Sequence, residues 1–204
     1  MQKISQKDNK AIILASQSPQ RKRILKKLGI GFKAVPAHID EHHSGYIRPH
    51  AIAKAIAYRK AQAISEKHPD KWVLGCDTIV ILSNGKIAKK PKNRKDAKRT
   101  INLYKNSYCD VYSGLALIQR SSGKKFIDYE KTRLYFNDFS NKQAEEYLDS
   151  GEWKNRSGSM TIEGRGGKWI KRIEGYYWNV VGLPVNLLKK ITIYNPQFSK
   201  VCKL

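Results

Sequence analysis

The sequence predicts a mixed α/β fold, a central, strongly twisted sheet flanked by helices. Three observations carry it. An apolar run, AIILAS (11–16), leads straight into a helical pattern; a longer one, WVLGCDTIVIL (72–82), reads as a buried strand or strand pair; and two segments joined by Ser121-Ser122-Gly123 read as a β-hairpin. Strands interspersed with helices favour parallel pairing, whereas the hairpin demands antiparallel pairing, so the sheet is expected to be mixed. With 204 residues, 40% of them hydrophobic, the chain can close one sizeable core with room for two lobes within a single domain.

Taken in order, Ser18 is the expected cap of the first helix, with Pro19 at its first position and Gly29 beyond its end. Ile24, Leu25 and Leu28 give that helix an inward stripe while Arg21, Lys22, Lys26 and Lys27 face water. FKAVPAHI reads as a short strand, and the Ala-rich segment 50–66 as a second helix. Asn84-Gly85 marks a turn after the strand at 72–82, and a helix at about 94–105 opens on Asn93 with Asp96 three residues later. The hairpin strands are expected at 110–119 and 126–136. Ser140 and Gln143 open a helix through Leu148 that Gly151 closes. The Gly-rich RSGSMTIEGRGG (156–167) interleaves Met and Ile too regularly for a linker. A strand, an aromatic turn and a short helix after Pro184 complete the chain.

Forty Lys and Arg stand against 17 Asp and Glu, a net charge of +23. Such a surface attracts polyanions, so nucleotides, nucleic acid and anionic membranes are admitted while a basic substrate is disfavoured. No apolar stretch approaches the roughly 20 residues of a membrane span, and MQKISQKDNK lacks a secretory core. Cys76, Cys109 and Cys202 form no C-x-x-C pair, which argues against a disulfide framework and for a reducing, cytoplasmic setting.

Among candidate functional groups, Asp77 stands out because a carboxylate in an apolar strand is costly without a cationic partner. It reads either as a general base or metal ligand, or as an Asp capping a turn through its own backbone. Asp40 and Glu41 read as metal-associated acids or as solvated loop residues. Mg²⁺ takes one or two carboxylates together with phosphate oxygens, so these acids and Asp77 are a candidate set. Ser16, Ser18 and Arg21, at the strand-to-helix junction, suit a polyphosphate. The run 84–105 carries nine Lys or Arg, most of them a solvated helix face; Lys89 and Lys90, before Pro91, are presented in extended chain and suit a phosphate. No Walker-type phosphate loop is present. His38, His42, His43, His50 and His68 lack a zinc pattern, and Cys76 lacks a histidine nearby in sequence.

ILASQSPQR (13–21), IDE (39–41), AKAIAYRKA (53–61), GCDTIVIL (75–82), KKP (89–91), VYSGLAL (111–117), SGSMTIEG (157–164) and IEGYYWNVVGLP (173–184) together resemble the Maf family of nucleoside triphosphate pyrophosphatases, also called septum formation inhibitor proteins. The resemblance implies a two-lobed fold around a nucleotide-binding cleft, usually dimeric. It implies hydrolysis between the α and β phosphates, giving a nucleoside monophosphate and pyrophosphate, with a divalent cation, Mg²⁺ or Mn²⁺, as cofactor. By the same resemblance Asp77 matches the proton acceptor and a metal-site participant, Glu41 the acidic metal-associated position, Lys54 and Lys90 the lysines near the phosphates, and Ser16 and Arg21 the phosphate-contacting start of the chain.

Base selectivity is read two ways. Members acting on dTTP and UTP usually carry two arginines after Ser-x-Ser-Pro, Thr after the catalytic Asp and Gln before the later Gly; the 7-methyl-GTP group tends to an aromatic, Gln and Glu. Gln20, Thr78 and Glu163 make this chain a hybrid. An ionised Glu163 is acceptor-only and matches the N1–H and N2–H donors of guanine, whereas Thr78 matches the pyrimidine group and the Gln20 amide supplies a donor as well as an acceptor. Two rival classes stand beside the enzyme: a nucleic-acid-binding protein, suggested by the charge and by KWIKRIEGYYWN (168–179), and a catalytically inactive regulatory protein linked to septum formation. No recognised nucleic-acid motif supports the first, so specific nucleic-acid binding is not expected.

Overall fold

The computed structural model describes residues 11–41 and 48–202. Six strands form one sheet in the order β2-β1-β3-β4-β5-β6, with β1 at Ile12–Leu14, β2 at Phe32–Ala34, β3 at Val73–Leu82, β4 at Tyr108–Gln119, β5 at Lys124–Phe136 and β6 at Ile170–Glu174. β1 pairs in parallel with both β2 and β3, while β5 and β6 pair antiparallel. The sheet is therefore mixed, as the hairpin requires. The 72–82 run is one continuous strand rather than a pair.

Helices α1 (Pro19–Lys27) and α2 (Pro49–Ser65) make the β1-to-β2 and β2-to-β3 connections. Ser18 caps α1 by accepting the Arg21 backbone N–H at 3.4 Å, and a reciprocal Ser140–Gln143 box opens α4 (Asn141–Ser150). Asn93 caps α3 (Arg94–Asn102) through the Asp96 N–H. Gly151 ends α4 in the left-handed conformation, at φ 71°. The aromatic turn holds a five-residue helix, α5 (Tyr177–Val181), followed by α6 (Val185–Tyr194) and a four-residue α7 (Pro196–Ser199).

The chain divides into two units whose boundaries fall inside the long strands β3 and β5, just after Tyr112 of β4 and at the end of α5. The first comprises residues up to 77, 113–130 and from 182 onward. Its core sets Ala57, Ala61 and Ile64 of α2 against Ile13, Val73, Ala116 and Ile118 of the strands. The second comprises residues 78–112 and 131–181. Its core joins Val80, Val111, Leu134 and Phe136 to Ala97 and Ile101 of α3, Tyr147 and Leu148 of α4, and Trp169. Among the described residues no helix is long and apolar enough to cross a membrane.

Candidate active site

In the first unit the chemistry gathers where β1 ends beside β3. Ile13 and Leu14 pair with Val73 and Leu74, so Ser16 lies two residues and Asp77 three residues past the same rung. β1 connects outward to β2 while β3 continues toward β4, which makes this junction a topological switch point, where open α/β sheets place ligands.

Asp77 is buried, with 8% of its surface exposed, and its desolvation is met by Lys60. The Lys60 Nζ lies 2.7 Å from Asp77 Oδ1 and 2.7 Å from Glu41 Oε1, so one ammonium bridges a buried acid and a largely exposed one. The approach depends on two glycines. A Cβ at Gly75 would stand 2.1 Å from the Ala57 carbonyl oxygen, and one at Gly114 would stand 2.2 Å from that of Ala53. With hydrogen in both places α2 lies directly on the sheet, and Lys60, one turn beyond Ala57, reaches Asp77.

At the β1 exit, Arg21 is 8% exposed and donates from Nη1 to Ser16 Oγ at 3.0 Å and from Nε to the Gly182 carbonyl at 2.9 Å. The Ser18 hydroxyl donates to Gln20 Oε1 at 3.2 Å, and Ser16 Oγ accepts the Ser18 N–H at 3.2 Å. Hydroxyls, a guanidinium and the first turn of α1 thus share one corner. The Lys54 Nζ sits 5.6 Å from the centroid of the Tyr129 ring, on which His50 also stacks. Cys76, beside Asp77, has its thiol pushed up to about 11 by burial, against the opposing pull of Arg21 and Lys60. It is a protonated thiol at neutral pH, unsuited to nucleophilic attack.

The second unit holds Thr78, half-buried in β3, with Lys90 and Glu163 exposed. The Gly158 N–H donates to the Lys89 carbonyl at 3.4 Å, which sets the Lys-Lys-Pro segment beside the Gly-rich segment. Tyr104 and Tyr147 donate to the carbonyls of Gly158 and Ser159 at 2.8 and 3.2 Å and hold both residues in the left-handed region, φ 77° and 57°. That conformation explains Gly158, where a Cβ would meet the Tyr104 oxygen at 2.7 Å.

For a divalent cation, the candidate donors are Asp77 and Glu41, which share Lys60 as a partner. In this structure both carboxylates contact the Lys60 ammonium, and carboxylate oxygens are the donor type that Mg²⁺ takes together with water and phosphate oxygens. Among the described residues no group of three His, Cys, Asp or Glu forms a protein-only cage. His42 and His43 lie outside the described residues; His38 is exposed, and His50 and His68 are half-buried.

Lys60 is a residue that the sequence reading did not single out. Its signal lies in periodicity: Ile52, Ala53, Ile56, Ala57, Ala61 and Ile64 form the buried stripe of α2, and Lys60 interrupts it. A lysine on an apolar stripe needs an acid to meet it.

The family model described as Maf-like protein matches residues 11–192. The chain belongs to the Maf-like protein family. Similar to this Maf-like chain is the dTTP/UTP pyrophosphatase of Pelotomaculum thermopropionicum, 36% identical over 185 residues that cover 89% of this chain and 96% of the relative. The proteins of that name from Dictyoglomus thermophilum and Bacillus cereus are 34% and 35% identical, covering 89% and 91% of this chain and 94% and 91% of the relatives. Among solved structures, the Ham1 protein of Staphylococcus aureus superposes with a TM-score of 0.52, covering 90% of this chain and 98% of its own. That of Coxiella burnetii superposes with 0.50, covering 91% and 99%. At 12% identity these two share the fold alone.

Proposed function

We propose that this Maf-like enzyme hydrolyses dTTP and UTP between the α and β phosphates, releasing the nucleoside monophosphate and pyrophosphate. End-to-end similarity to proteins named for that activity supports the substrate. The observation that carries the chemistry is the buried Asp77 carboxylate, engaged on one oxygen by Lys60 and standing where β3 outruns β1.

In this reading Asp77 takes a proton from water as the water oxygen bonds to the α phosphorus and the α–β bridging oxygen leaves with pyrophosphate. Lys60 fixes the carboxylate's orientation and offsets negative charge as it builds on the phosphates. Ser16 and Arg21 grip the phosphate chain from the β1 corner, with Lys54 and Lys90 as further phosphate contacts and Gln20, Thr78 and Glu163 setting base preference. Asp77 and Glu41 would hold a divalent cation, Mg²⁺ or Mn²⁺, which supplies neutralisation of phosphate charge when bound.

One residue favours a second substrate. Glu163 presents a carboxylate, which suits guanine donors and opposes a pyrimidine carbonyl, so 7-methyl-GTP is the alternative. A pyrophosphate-release assay over dTTP, UTP, GTP and 7-methyl-GTP separates the two. The expected order puts dTTP and UTP first in kcat/KM, and a preference for 7-methyl-GTP would transfer the assignment to the guanine reading. In the same assay Asp77→Asn is expected to lower kcat by about 10²–10⁴-fold. Turnover equal to wild type would remove Asp77 from the chemistry.

A further inference from the structure

Away from the Asp77 corner, the first unit carries a pocket of about 400 Å³. One wall is the start of β5, with Lys124, Lys125 and Phe126 just past the hairpin turn; the other is the junction of α6 and α7, with Tyr194, Asn195 and Pro196. The Ser121 N–H donates to the Pro69 carbonyl at 3.0 Å, which sets this end of the hairpin beside the chain entering β3, whereas Asp77 comes later in that strand.

The two walls are tied together. Lys124 Nζ donates to Gln197 Oε1 of α7 at 2.8 Å. Asn195 is buried and accepts the Gln197 and Phe198 N–H groups on its Oδ1, each at 3.1 Å, which fixes the turn between the helices. Phe126 and Phe198 both pack on Trp72, with ring centroids 6.3 and 5.5 Å away. A pocket held in this way is formed before a ligand arrives, which lowers the ordering cost of binding.

Two ammonium-bearing residues and no acid line the pocket, and among the described residues neither lysine is paired with an acid. On its rim, Tyr194 is the most exposed of the large apolar side chains among the described residues, at 80%. An open ring beside unpaired cations suits a ligand with a flat face and a negative charge. We propose that this pocket binds a single nucleotide, with the base stacked on Tyr194 and the phosphate drawn by Lys124 and Lys125, as a second nucleotide site apart from the Asp77 corner. Its volume stands at the small end of ligand pockets, about 300–1,000 Å³, and suits one nucleotide. A strand of nucleic acid fits less well, because it stacks successive bases along a groove and this pocket presents one exposed ring.

Photocrosslinking of the full chain with 5-iodouridine monophosphate, whose base couples on irradiation to a ring stacked on it, followed by peptide mapping, tests the proposal. The probe has no α–β linkage, so the result does not depend on the hydrolase reading. Label is expected on the peptide that carries Tyr194. Unlabelled UMP is expected to compete about tenfold better than uridine or inorganic phosphate, since each of those fills only half of the pocket. Lys125→Glu/Tyr194→Ala changes two exposed positions and is expected to weaken labelling of this site by about tenfold or more. Label confined to the Asp77 corner would overturn the proposal. So would labelling at Lys124–Phe126 that the double variant leaves unchanged, competition by inorganic phosphate equal to that by UMP, which marks a plain anion site, or tighter competition by oligouridylate than by UMP at equal nucleotide concentration, which marks a nucleic-acid strand. The hydrolase assay is a separate measurement, so failure of one reading leaves the other standing.

Discussion

Lys60 meets two acids through one nitrogen, and only one of them is buried. The Asp77 half of this pair is the costly half to break, because an unmatched carboxylate would remain in the sheet. Lys60→Gln is therefore expected to lower kcat by about 100-fold, with a thermal melt run alongside to separate lost chemistry from lost stability. Unchanged turnover in a folded variant would show that Lys60 serves the fold alone. A second acid acts on stability. Burial raises the Asp110 carboxyl, but hydrogen bonds from Arg133 and Lys131 outweigh burial and hold it below the usual carboxylate range. A depressed folded value contributes stability above the unfolded carboxylate range, near about 4, and loses it as pH falls through the folded value. Asp110→Asn is expected to cost about 1–3 kcal/mol at pH 7, measured by urea denaturation, with the gap to wild type closing in acid. A gap independent of pH would contradict this. Asp77 was legible in the sequence as a misplaced carboxylate, whereas Asp110 was not, since a strand-end Asp reads as solvated until its cross-strand partners Lys131 and Arg133 are known.

At the scale of elements, α2 is the part on which the site's geometry depends. Its identity was legible from alanine content, and α1, α3 and α4 were legible from Ser18, Asn93 and Ser140 at their starts, because propensity and capping are local interactions. Its closeness to the sheet was not. That closeness requires the hydrogens of Gly75 and Gly114, which stand 39 residues apart and read in sequence as ordinary strand glycines. Gly114→Ala would drive a methyl into the Ala53 carbonyl, and is expected to destabilise the protein by about 3 kcal/mol or more and to reduce turnover by withdrawing Lys60. A variant with wild-type melting would show that α2 can shift freely. The aromatic turn of 175–178 was legible as a turn but not as a helix start. Its geometry comes from Thr132 Oγ1, which accepts the Tyr176 N–H at 3.0 Å and the Asn179 amide at 3.0 Å from a strand more than forty residues earlier.

For the molecule as a whole, charge is the dominant property. A surplus of +23 predicts sequence-independent adhesion to DNA that falls steeply with salt, by about a thousandfold between about 50 and 200 mM. Binding that is selective and indifferent to salt, measured by fluorescence anisotropy, would restore the nucleic-acid reading as a rival function. Composition, periodicity and motif order by themselves determined the fold class, most element starts, family membership and the candidacy of Asp77, Glu41, Ser16 and Arg21. These are properties of local pattern or of types in order along the chain. Only the tertiary structure decided which lysine meets Asp77, that Arg21 is tied to Gly182, and that Asp110 of β4 meets Lys131 and Arg133 of β5. Those outcomes depend on distances between segments far apart in sequence, set by how closely a helix can lie on a sheet and by strand register.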